Sequence, residues 1–116
     1  MRLDSLARQI GAEIVAAPAA AAPGIDRVYA GDRISDLLNH ATESTLIVSN
    51  LSGSQLAQLA HLMDVPGLCL VNGIVPEPEL IEAARRHQTL LMVSPLGMFE
   101  TCGRLYAALA QERPAT

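Results

Sequence analysis

The chain has 116 residues, a formal net charge of −4 and 50% hydrophobic residues, which is the length and apolar content of about one globular domain. Aromatics are scarce (one Phe, two Tyr, no Trp), so the core must be aliphatic. All eight basic residues are Arg, which leaves no Lys for a Walker-type phosphate loop, a Schiff base or a receiver-type phosphoacceptor site. The acidic balance offers no basic patch for nucleic acid.

Leu3, Leu6, Ala7 and Ile10 recur at helical spacing, and Gly11 supplies a stop that accepts a left-handed conformation. Residues 13–16 read as a short strand and residues 17–25 as a Pro- and Gly-bearing loop. From residue 27 strands and helices alternate. Residues 27–30 are extended, Gly31 and Asp32 turn the chain, and Ser35 is a candidate cap for a helix over 36–42 with Leu37, Leu38 and Ala41 inward. A continuous apolar strand at 45–49 is followed by a helix over 55–63 with Leu56, Leu59 and Met63 on one stripe. A strand lies within 65–71, then a helix over 76–87 with Leu80, Ile81 and Ala84 inward. A third buried strand at 90–94 precedes a closing helix over 98–110, on which Phe99, Cys102, Tyr106 and Leu109 align.

This order of elements is the signature of βαβ units. It gives a single α/β domain of three layers with a mostly parallel sheet over residues 1–112, and residues 113–116 form a tail. The segments 45–49, 67–71 and 90–94 are expected side by side and parallel. No apolar run is long enough to span a bilayer, and no secretory signal is visible, so the expected location is the cytoplasm. Cys69 and Cys102 sit in apolar runs and read as buried free thiols.

Motifs for catalysis or metal binding are missing. There is no GxGxxG, CxxC, HExxH or GxSxG, and His40, His61 and His87 fall on three separate helices without ligand spacing. No catalytic or metal-binding residue is assigned. What remains is a set of polar loops that each follow a strand and open a helix: Ser49 and Asn50 through Ser54, Asn72 and Gly73, and Ser94 through Gly97. The carboxyl ends of parallel strands are where such sheets bind ligands, and helix N-termini there suit an anion. Ser, Asn and Gly are equally what any such turn and helix cap requires.

The stretch from Asp26 and Arg27 through Tyr29, Ala30, Gly31, Asp32, Ser35 and Asp36 to Leu38 resembles the segment that names the DRTGG domain family. The run from Gly67 to Gly73 with Pro76 and Glu77, and the run from Val93 and Ser94 to Thr101, resemble further segments of that family. The opening helix with Gly11 to Ala16 is similar to that of the amino-terminal domain of HPr kinase. Where the family has a Thr-Gly-Gly turn, this chain has Tyr29-Ala30-Gly31, with a threonine hydroxyl and one glycine fewer.

The resemblance implies the fold of the HPr kinase amino-terminal domain and a non-catalytic, regulatory or ligand-sensing role. Kinase activity belongs to a different domain of HPr kinase and is not implied. The resemblance further implies a homodimer acting on a partner enzyme, a hydrogenase or another metabolic enzyme, with no cofactor beyond a candidate adenine nucleotide. The candidate ligand-binding residues are Asp26, Arg27, Gly31, Asp32, Ser35 and Asp36 of the resembling segment, and Ser49, Asn50, Asn72 and Gly73 from the strand-end loops. Arg27 suits a bidentate phosphate or carboxylate contact, or equally an ion pair with Asp26 or Asp32. Gly31 is expected to serve backbone conformation. Two alternatives stand beside this reading: a structural adaptor that works through homodimerisation and protein docking, and a small enzyme using Asp32 and Asp36 as acid and base.

Overall fold

The computed structural model describes residues 1–20 and 23–112. The sequence-expected tail at 113–116 and part of the 17–25 loop lie outside them. Within the described residues the elements run α1 (Leu3–Ile10), β1 (Glu13–Ala16), β2 (Arg27–Ala30), α2 (Ile34–His40), β3 (Thr45–Ser49), α3 (Ser54–Leu62), β4 (Gly67–Leu70), α4 (Pro78–Arg86), β5 (Leu90–Val93) and α5 (Met98–Glu112).

The apolar runs pair into one sheet of order β1-β5-β4-β3-β2. β2 to β5 are parallel neighbours in chain order, and β1 joins β5 antiparallel at the edge. Register aligns side chains in rows across the sheet. Tyr29, Ile47, Leu68 and Leu91 form one row and pack with the cluster that contains Leu56, Leu59 and Leu80 of α3 and α4. The next row, Ala30, Val48, Cys69 and Met92, faces the opposite cluster with Leu3, Leu6, Ile10 and Leu105 of α1 and α5. Successive side chains on a strand point to opposite faces. Burial on both faces therefore requires the unbroken apolar runs seen in the sequence.

Three successive crossovers step one strand in the same direction, so α2, α3 and α4 cover one face. After β5 the chain passes to the other face, where α5 packs beside α1. Gly67 allows α1 to approach closely. A Cβ there would come 2.6 Å from Leu3 Cδ1 and 3.3 Å from Leu46 Cδ1.

Several local expectations need correction. α2 starts at Ile34, two residues before the expected 36, and Arg33 occupies its N-cap position with no side-chain cap bond, so Ser35 is inside the helix and caps nothing. Leu38, expected inward, is 36% exposed, because the stripe through Leu37 and Ala41 already fills the interface. On α5 the aligned set faces outward at its aromatics. Phe99 is 90% and Tyr106 78% exposed, and the buried stripe is the neighbouring one, Thr101, Leu105 and Ala108. Gly31 lies outside the left-handed region, which holds Gly11 and Gly73, so no special backbone demand explains it. Gly11 does close α1 as expected, at φ 75° with its N–H donating to Ala7 and Arg8 carbonyls.

Candidate functional site

The carboxyl edge of the sheet gathers the ends of four parallel strands and the start of β1. At the end of β3 the buried Ser49 accepts the Leu51 N–H on its Oγ at 3.1 Å, a local turn that uses the hydroxyl internally. The end of β5 repeats the device: Ser94 Oγ accepts the Leu96 N–H at 3.2 Å and lies 2.8 Å from Thr101 Oγ1. Between them, Asn72 and Gly73 take left-handed φ values of 62° and 61°, a conformation these two residue types tolerate best. That turn sends the Asn72 N–H to the Leu96 carbonyl at 2.7 Å and the Gly73 N–H to the Ser94 carbonyl at 2.8 Å. The β4 and β5 loops are therefore zipped together by backbone bonds.

From β4 the chain leaves toward α4 on one face, and from β5 it leaves toward α5 on the other. Diverging connections of this kind define a topological switch point, the place where open α/β sheets bind ligands. A cleft of about 500 Å³ opens there, displaced toward β1 by the zipped loops. Its walls are Gly73 to Pro76 from the β4 loop, Ile81 from α4, Val93 and Pro95 from β5, and Gly11, Glu13 and Val15 from the β1 side. Val15 takes part because the pairing of β1 with β5 slips between Ile14 and Ala16. The irregularity lets the consecutive residues Val15 and Ala16 pack on the same face.

The sequence-derived candidates are divided by this geometry. Gly31, Asp32, Ser49, Asn50, Asn72 and Gly73 stand along the carboxyl edge, and Gly73 alone among them lines the cleft. Asp26 and Arg27 lie at the opposite, amino end of β2, roughly 13 Å from Gly31 at about 3.3 Å per residue. There the Arg27 guanidinium sits 3.6 Å from the Asp26 carboxylate, both exposed. Asp36 pairs with Arg33 at 3.9 Å, and Asp32 and Ser35 are exposed. The candidate acid–base couple Asp32 and Asp36 has no enclosed surroundings.

The 50–54 loop, which opens α3, does not stand ready for an external anion. Glu77 sits against it, its N–H bonded to the Ser52 carbonyl at 3.0 Å and its carboxylate accepting from Ser52 Oγ at 3.4 Å. A Cβ on Gly53, the N-cap of α3, would lie 2.8 Å from Glu77 Oε2. The protein's own carboxylate fills the space beside that helix N-terminus.

Sequence reasoning missed Glu13, Val15, Val75, Ile81 and Val93 as cleft residues. The Pro76 and Gly73 punctuation around Ile74 and Val75 was the one available signal, since a β-branched pair in a turn has little reason to face solvent unless something covers it. Among the described residues no group of three or more His, Cys, Asp or Glu converges as a metal site. Cys69 and Cys102 are free; burial first, and Cys102 nearby, push the Cys69 thiol up to about 12, and burial raises Cys102. The Cys69 thiol is thereby held protonated, and Cys102, expected buried, is only half-buried.

The class these features define is a three-layer α/β domain with an open, largely apolar cleft at its switch point. No protein-family model matches the chain, and no curated protein matches it. Its fold is similar to the crystal structure of the CBS and DRTGG domains of the regulatory region of Clostridium perfringens pyrophosphatase, complexed with its activator diadenosine tetraphosphate. The TM-score is 0.72 at 15% identity, over 90% of this chain and 45% of that one, so the chain spans somewhat under half of that regulatory region. The likeness is one of fold, and it agrees with the resemblance read from the Asp26–Asp36 stretch to the extent of the fold. Among the described residues no helix is long and apolar enough to cross a membrane.

Proposed function

We propose that the chain is a non-catalytic, ligand-sensing regulatory module that acts on a partner enzyme, and that its ligand seats in the switch-point cleft. The cleft carries this reading: about 500 Å³ is within the size range of small-molecule sites, and apolar walls with a few polar groups are their usual chemistry. The similarity to a regulatory region whose activator is diadenosine tetraphosphate supports the role and makes adenine nucleotides the first ligand class to test. The two unpaired thiols fit the reducing cytoplasm. Arg27 and Asp26 are assigned to local pairing in this reading, with the strand-end residues shaping the loops around the cleft.

Thermal shift against adenosine, AMP, ATP and diadenosine tetraphosphate tests the proposal. A ligand at 100 times its Kd stabilises by about 2.7 kcal/mol. The stabilisation should disappear in Val75→Asp, a substitution at an 84% exposed cleft position, and persist in Arg27→Ala. Loss in Arg27→Ala with retention in Val75→Asp would move the site to the amino end of β2.

A second reading rests on α5. Its outward side carries Phe99 and Tyr106 with the exposed small residues Gly103, Ala107 and Ala110, an apolar strip suited to a helix of a second copy. In that case the chain is an adaptor that works as a homodimer. Sedimentation of the wild type as a dimer and of Phe99→Asp as a monomer is the expected result, and a monomeric wild type at all concentrations removes this reading.

A further inference from the structure

We propose that the cleft recognises the uncharged, hydrogen-bond-donating end of its ligand, of nucleoside type, and leaves any phosphate in solvent. The inference rests on the reading that this cleft is the ligand site. It follows from what the walls can and cannot offer. Val15, Val75, Ile81 and Val93 supply apolar surface for a ring. Glu13 is the single ionisable residue lining the cleft, and an ionised carboxylate accepts from hydroxyl or amine donors but repels an anion.

No lining residue is cationic, and most backbone donors of the β4 loop are already used or absent. The Gly73 N–H is spent on the Ser94 carbonyl and the Ile74 N–H on the Val71 carbonyl at 3.3 Å, and Pro76 and Pro95 have none. The helix that begins beside the cleft, α4, carries Glu79 in its first turn, while the Glu77 carboxylate at its N-cap makes no cap bond and turns to Ser52 Oγ. A phosphate at this mouth would meet the negative charge of Glu13 with no cationic lining side chain to compensate it. On this proposal the cleft differs from the anion site expected at the carboxyl edge.

Titration calorimetry with adenosine, AMP, ATP and inorganic phosphate on the full chain tests the inference. Adenosine should bind at least as tightly as AMP, ATP should bind more weakly, and inorganic phosphate should neither bind nor compete. Glu13→Gln, an exposed substitution, should weaken adenosine about tenfold, because a hydrogen bond to a charged group is lost, and should narrow the gap between adenosine and ATP. Affinity that rises with the number of phosphates, or competition by inorganic phosphate, overturns the inference. If that phosphate-led binding is still abolished by Val75→Asp, the cleft stands as the site and only its assigned chemistry fails. If none of the four compounds binds, both the inference and the cleft assignment fail.

Discussion

Gly67 and the pair His61 and His87 show how single residues set tolerances. A methyl group at Gly67 would sit 2.6 Å from Leu3 Cδ1, and Leu3 is fully buried on α1. Gly67→Ala should therefore lower stability by about 1–3 kcal/mol, the usual cost of overpacking, measured as a lower urea midpoint at unchanged slope. At the amino end of the sheet, His61 near the end of α3 and His87 after α4 stack with ring centroids 3.7 Å apart. Loss of solvent, then His61, then Arg86, hold His87 below its ordinary 6.5, while Asp64 lines the same hollow. The unfolded state thus takes up a proton on His87 before the folded state does. This contribution to stability is present above about pH 6.5 and is lost as pH falls through that value toward the folded pKa. Unfolding midpoints between pH 7.5 and 5 should decline more steeply for wild type than for His87→Asn, and equal slopes would remove the coupling.

At the scale of elements, the strands were the most legible because burial on both faces leaves an unbroken apolar run. Ile47 is fully buried in the row shared with Leu68 and Leu91, and Ile47→Asp places an unpaired carboxylate there. The expected outcome is loss of the cooperative thermal transition, and a variant melting near wild type would show that the row is not core. Helix faces were less legible. Phe99, Cys102, Tyr106 and Leu109 and the neighbouring set Thr101, Leu105 and Ala108 have the same spacing, so periodicity alone does not choose between them. The sheet chooses the smaller set, because α5 must lie close beside α1 over β2 and β3. The start of α2 was misplaced for a related reason. Ser35 is a good cap type, but Ile34 has a hydrophobic cluster to join and carries the helix two residues earlier.

At the scale of the molecule, the sheet order decides where chemistry can gather. Four parallel strands in chain order put three crossover helices on one face, so the connections diverge where the chain leaves β4 and β5. That pattern was readable as alternating elements, but the cleft was not. It depends on β1 pairing antiparallel with β5 and on the slip at Val15, and both are set by contacts nearly eighty residues apart in the chain. The resemblance drew the candidate site along the segment Asp26 to Asp36, which the fold stretches from one end of β2 to the other. Two of the residues singled out from the strand-end loops, Asn72 and Gly73, hold the loop that walls the cleft, and the proposed binding surface belongs to their apolar neighbours.

Methyl-resolved NMR titration of the full chain with adenosine tests the central assignment most directly. Shifts confined to Ile74, Val75, Ile81, Val15 and Val93 are the expected result, with Val28, Leu51 and the Asp26–Asp36 amides unmoved. Saturable shifts centred on residues 26–36 or 49–54, with the cleft methyls silent, would contradict it.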